Sequence, residues 1–143
     1  MISNKEPEVS NASVRILIVD DQAPFRSAAR DVVAMIDTFE IVGEAETGAG
    51  SIEAAASLRP DLILMDINLP DMDGFEATRS ILEGNPNGVV VVALSTYERE
   101  RYEARAVQSG AVAYIPKSEF DPDRLLAAWE AASKGRHGGS TGG

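Results

Sequence analysis

The chain contains no cysteine. Disulfides, thiolate metal centres and cysteine nucleophiles are therefore all excluded. Its single histidine, His137, lies in KGRHGGSTGG with no second nitrogen ligand beside it, and belongs to the tail rather than to a site. Positive charge is also scarce: thirteen basic residues face twenty-three acidic ones, for a net charge of −10. A nucleic-acid-binding face needs a basic patch for phosphates, so this balance argues against direct nucleic-acid contact. No apolar run approaches the ~20 residues of a membrane span. The opening MISNKEPEVSNAS has no apolar core of a secretion signal. A cytoplasmic protein without membrane attachment is the expectation. Nothing resembles a glycine-rich phosphate loop, so nucleotide binding is unsupported.

What is present suits one globular domain. The 143 residues are 44% hydrophobic and 25% charged, enough for one sizeable core and too few for two. Residues 1–13 read as a flexible polar arm and residues 135–143, GRHGGSTGG, as a flexible glycine-rich tail, leaving 14–134 as the domain. Within it, RILIV (15–19), EIVGEA (40–45), LILM (62–65), VVVVAL (89–94) and AVAYI (111–115) predict five strands. Runs such as LILM are continuously apolar, as strands buried on both faces are.

The segments between them have helical period. Phe25, Ala28, Ala29, Val32, Val33 and Ile36 form one stripe. SIEAAASL is stopped by Arg59-Pro60. A third helix starts near Asp73-Gly74-Phe75, with Asp73 as its cap, and a fifth starts at Asp121-Pro122. The fourth, YERERYEARAVQSG, offers only Tyr102, Ala106 and Val107 as apolar anchors, so it is among the cheaper elements to move. Strand–helix alternation five times over predicts an α/β fold, a doubly wound parallel sheet of five strands with five helices; if its order is 2-1-3-4-5, the flavodoxin-like one, the order reverses between the first and third strands.

In such a sheet, function gathers beyond the carboxyl ends of the strands where the order reverses. The first strand ends at Asp20-Asp21 and the third at Asp66. Three carboxylates brought together repel, and their natural partner is a hard divalent cation with oxygen ligands; magnesium (Mg2+), which keeps several waters, fits. A carboxylate is also a nucleophile toward phosphorus, given positive charge and donors for the phosphoryl oxygens. The fourth strand ends in Ser95-Thr96 and the fifth runs into Lys117, so a hydroxyl and an ammonium converge on the same edge. Asp71, in a proline-led turn, is expected to be solvated.

With ILIVDDQ, DLILMDINLPDMDGFE, VVALST and GAVAYIPK in this order, residues 14–134 resemble the response-regulator receiver domains of two-component signalling. The resemblance implies that Asp66 accepts a phosphoryl group from a sensor histidine kinase or a histidine phosphotransfer protein. It implies that Asp20, Asp21, Asp66 and the backbone carbonyl of Asn68 hold magnesium, that Lys117 pairs with the phosphoryl oxygens, and that Ser95 and Tyr114 form the switch. Asn68 and Tyr97 stand where family members tune phosphoryl lifetime. The signal would pass to a downstream output protein or output domain, with dimerisation on phosphorylation as one form of response. One departure is local: Pro116 precedes Lys117 and Ser118 follows it, where many members have proline after the lysine in a cis bond.

Two other functions compete. A DNA-binding transcriptional regulator could own this receiver half, since the alanine- and leucine-rich last helix and glycine-rich tail would suit a linker; no helix-turn-helix segment is in the sequence. An aspartate-nucleophile phosphatase also places acids at a strand end, but that family carries DxD after its first strand where this chain has adjacent aspartates.

Overall fold

A computed structural model describes residues 13–85, 88–96 and 99–142, with the side chains of 99–102 and 134–142 excepted. The expected arm at 1–13 thus lies outside the described residues save for Ser13, as do Tyr97 and the side chains of Tyr102 and His137. Five parallel strands, β1 (Val14–Val19), β2 (Phe39–Ala45), β3 (Leu62–Asp66), β4 (Val90–Ser95) and β5 (Ala113–Pro116), alternate with five helices. These are α1 (Ala23–Ala34), α2 (Gly48–Leu58), α3 (Gly74–Gly84), α4 (Arg99–Ser109) and α5 (Pro122–Gly142), with a 3-10 turn at Lys117–Glu119. The strand order is β2-β1-β3-β4-β5, the flavodoxin-like order assumed above.

The apolar runs divide by parity, because successive side chains of a strand leave opposite faces. Leu17, Val19, Ile63, Met65, Val91 and Ala93 pack with Ala55, Phe75, Ala77 and Ile81 under α2, α3 and α4. Ile16, Ile18, Leu62, Leu64, Val92 and Leu94 pack with Ala29, Val33 and Leu125 under α1 and α5. The central strand β3 is buried throughout, so its terminal Asp66 is carried on a rigid rod.

Local signals account for most helix ends. Thr47 accepts a hydrogen bond from Gly50 N at 2.9 Å and starts α2 three residues before the SIEAAASL run. Arg59, at φ 50°, ends it in the left-handed conformation ahead of Pro60. Asp73 accepts from Phe75 N at 2.7 Å and caps α3 as expected. Asp121 accepts from Arg124 N at 2.8 Å and caps α5. Gly110, at φ +103°, closes α4, so β5 begins at Ala113 rather than at Ala111. The backbone of α5 continues to Gly142, through the stretch expected to be a loose tail: extending a nucleated helix adds one bond per residue ordered.

Two expectations about side chains are corrected. Val107, proposed as an anchor of α4, is 65% exposed, while Ala106 and Ser109 face inward. One residue is a turn of ~100° around a helix, and here the inward face runs through Ala106 and Ser109, which turns Val107 outward. Ala28 of the α1 stripe is likewise exposed. The hold on α4 is partly polar: Arg105 donates to Asp73 Oδ2 at 2.6 Å and stacks 4.6 Å over the Phe75 ring.

Gly74 has a packing reason that its helical position hides. A Cβ there would overlap the carbonyl oxygen of Asp66 and lie 2.5 Å from Ile67 Cα, both rigid backbone. We expect Gly74→Ala to cost about 1–3 kcal/mol in urea unfolding. Gly84→Ala, with nothing within 4 Å, should be neutral or gain up to ~1 kcal/mol.

Candidate functional site

Strand register decides which chain ends meet. β1 pairs with β3 so that Val19 lies opposite Met65, placing Asp20 beside Asp66 at the sheet's carboxyl edge. β3 pairs with β4 with Asp66 opposite Leu94, so Ser95 stands one residue beyond. Ser95 pairs in turn with Pro116, and Lys117 follows. Asp20, Asp21 and Asp66 each present an oxygen within 4.8 Å of the others. Asp20 and Asp66 are buried, at 1% and 2% exposure, and Asp21 faces solvent.

Lys117 reaches into this cluster. Its Nζ lies 2.7 Å from Asp20 Oδ2 and 3.7 Å from Asp66 Oδ2, so the ammonium sits closer to the first strand's acid. Further contacts come from backbone and one arginine. Gln22 N donates to Asp20 Oδ1 at 2.8 Å, Asn68 N donates to Asp66 Oδ1 at 3.1 Å, and Arg26 donates to the carbonyl of Asp20 at 2.7 Å. The loop bearing Asn68 doubles back in an antiparallel bridge to Asp73, with Gly74 N donating to Ile67 O at 2.9 Å. Ser95 is fully buried and Tyr114 is 5% exposed within the core beneath α4, not on the outer surface of its edge strand. All peptide bonds among the described residues are trans, including Lys117-Ser118.

Comparison with known proteins agrees with this arrangement. Residues 16–130 match the model of the response regulator receiver domain. The chain belongs to that family. The transcriptional regulatory protein DegU of Brevibacillus brevis is 36% identical over 128 residues, covering 90% of this chain and 53% of that protein. A protein-glutamate methylesterase/protein-glutamine glutaminase of Alkalilimnicola ehrlichii is 40% identical over 108 residues, covering 76% of this chain and 28% of that protein. The crystal structure of a LuxR-family two-component response regulator from Aurantimonas sp. SI85-9A1 superposes with a TM-score of 0.78 at 29% identity, covering 87% of each chain. This receiver thus spans about half or less of the length of these two curated relatives. Among the described residues, no helix is long and apolar enough to cross a membrane.

Receiver domains bind magnesium at an acidic cluster of this kind, and the donor set here fits a hard cation. All the side-chain donors are carboxylate oxygens. Asp20 Oδ2 is buried without an aligned hydrogen bond although Lys117 Nζ is 2.7 Å away. The lysine meets that oxygen as a charge, off the hydrogen-bonding direction, and a lone pair is left for another partner.

Burial pushes the Asp66 carboxyl up to about 6. The Asn68 amide pulls it back, Asp20 raises it again, Lys117 lowers it and Asp21 raises it slightly. At neutral pH the acid is therefore mostly ionised, at a cost the fold bears.

Asp71 was missed by sequence reasoning. It is exposed but not free in solvent: its carboxylate accepts from Gly48 N at 2.7 Å and Ala49 N at 2.9 Å, capping α2 from the β3–α3 loop. Those two donors hold its carboxyl below the usual range. Nothing within four residues of Asp71 announces the contact, because the partner amides are more than twenty residues away.

The sign of the Asp66 shift predicts a pH-dependent stability. A carboxyl raised above 3.8 destabilises the fold in full above about 6, and the penalty fades as pH falls toward 3.8. In metal-free buffer Asp66→Asn should stabilise the protein by roughly 2 kcal/mol at pH 7.5, from the cost per pKa unit. The gap should narrow below pH ~6, as compared by urea unfolding at both pH values.

Proposed function

We propose that Asp66 is the phosphoacceptor of a magnesium-dependent phosphorelay, taking its phosphoryl group from a sensor histidine kinase or a histidine phosphotransfer protein. The observation carrying this reading is a buried carboxylate at the end of the central strand, flanked by two further acids and an ammonium 3.7 Å away. An oxygen of Asp66 attacks phosphorus, a new P–O bond forms, and the bond to the donor's imidazole nitrogen breaks with its electron pair returning to that nitrogen. Asp20, Asp21, Asp66 and the backbone carbonyl of Asn68 would hold Mg2+, which neutralises oxygen charge on acceptor and phosphoryl group when bound.

The chain's own groups do the rest. Lys117 shifts from Asp20 toward the new oxygens, a move of the order of the 1 Å difference between its two present distances of 2.7 and 3.7 Å. The Asn68 amide, now on Asp66 Oδ1, points at the place where the phosphoryl group arrives. The Ser95 hydroxyl supplies a further donor. A phosphoryl group brings nearly two negative charges and three strong acceptors, so it draws these donors together. Tyr114, buried beside Ala106 and Ala111, follows Ser95, and α4 repacks at its polar tether to Asp73.

Residues 14–134 are the signalling unit, acting through an output partner or further domain rather than by turnover of a separate substrate. Its only chemistry is then gaining and losing its own phosphoryl group. The acidic surface suits neither direct nucleic-acid contact nor an anionic membrane. A kinase donor places the protein in the cytoplasm, and dimerisation on phosphorylation is one output the exposed part of α4 could serve.

Intact mass after incubation with a small-molecule phosphodonor tests the reading. One added phosphoryl group should appear with Mg2+, fail to appear with chelator, and be absent in Asp66→Asn. No adduct, together with no binding of beryllofluoride plus Mg2+, would remove it.

A further inference from the structure

Lys117 has a third neighbour that the acidic motif does not include. Its Nζ lies 4.5 Å from the centroid of the Phe25 ring, over the ring face. Phe25 stands on the first turn of α1, whose Gln22 cap makes no side-chain hydrogen bond and whose start is set by Pro24. That turn is held to the site by Arg26 on the Asp20 carbonyl at 2.7 Å. The Phe25 ring also packs against Phe120, with centroids 5.9 Å apart and planes tilted by 47°. Phe120 comes from the same short turn as Lys117, closing it by donating its N–H to Lys117 O at 3.3 Å. The lysine and the ring that braces its aromatic neighbour are thus fixed three residues apart on one turn.

The environment gives that contact weight. The Lys117 side chain is only 10% exposed, and the attraction between a cation and an aromatic face grows as water is removed. The ammonium is balanced among Asp20, Asp66 and the ring. The first two change their charge environment when a cation binds or a phosphoryl group arrives; the ring does not.

We propose that Phe25 is a positioning residue for Lys117, its ring face holding the ammonium at the Asp66 carboxylate when Asp20 is engaged by a cation. Without the ring, the ammonium keeps only its longer approach to Asp66 at 3.7 Å, against Asp20, where it competes with that cation, and water. This inference rests on the phosphoacceptor reading of Asp66, and its test separates the two.

The full chain with Mg2+ and acetyl phosphate provides the rate of phosphorylation, followed by intact mass. Phe25→Leu, which keeps apolar bulk but removes the aromatic face, should slow it roughly three- to tenfold. Phe25→Trp should stay within about twofold of wild type, because indole offers a stronger face. In a Lys117→Ala background, Phe25→Leu should cause no further loss. Equal slowing in both backgrounds would mean packing alone and overturn the proposal, as would an unchanged rate in Phe25→Leu. A second measurement needs no phosphoryl chemistry. Only three lysines, Lys5, Lys117 and Lys134, are in the chain, so the ε-methylene protons of Lys117 can be assigned by selective labelling. They should be shifted upfield by the ring, with the shift lost in Phe25→Leu and kept in Phe25→Trp. Its absence in wild type would overturn the clamp outright. A wild-type chain showing the shift but taking no phosphoryl group would refute the phosphoacceptor reading, and the positioning role with it.

Discussion

Three carboxylates and one ammonium at the carboxyl edge of the sheet form the constraint around which the receiver is organised. Their oxygens lie within 4.8 Å of one another, and two of the acids are buried. Such a cluster persists only because its carriers cannot relax: β1 and β3 are hydrogen-bonded in the sheet's centre and covered on both faces by apolar side chains. Lys117 offsets part of the repulsion but pairs more closely with Asp20 than with Asp66. The site is therefore left with excess negative charge and a buried carboxylate oxygen lacking an aligned donor. Both features favour a divalent cation, while burial first and the neighbouring acids after it make Asp66 costly to ionise.

The surrounding loops are arranged to keep that strain local. Asp71 ties the β3–α3 loop to the start of α2, Asp73 caps α3 and holds Arg105 of α4, and Arg26 fixes the β1–α1 turn through the Asp20 carbonyl. Each is a charged hydrogen bond between a loop of the site and a neighbouring helix. Between the site and α4 lie the Asp73–Arg105 pair on one side and the buried Ser95 and Tyr114 on the other, the short route that the proposed switch would use. The buried face of α4 is modest, with Ala106 and Ser109 inward and Val107 outward.

Much of this was legible in the residues. Continuous apolar runs and five alternations of strand and helix announced the five parallel strands and their helices, and Asp73 and Asp121 were recognisable as caps because a cap acts within its own turn. The acids and Lys117 were legible as a group only because strand ends converge in a parallel sheet. Asp71 was not, since its partners Gly48 and Ala49 come from another loop. Val107 misled because two adjacent apolar residues in a sparse helix leave the phase of the buried stripe undecided.

The sequence by itself determined the strands, the helices and which side chains arrive at the sheet's carboxyl edge, because those follow from local periodicity and from the handedness of parallel crossovers. Only the tertiary structure decided how charge is shared there: that Lys117 leans on Asp20 and lies over Phe25, whose ring meets Phe120, that Tyr114 is inward and that Gly74 must lack a side chain against Asp66. Those are distances between segments far apart in the chain, fixed by packing, and no local pattern encodes them.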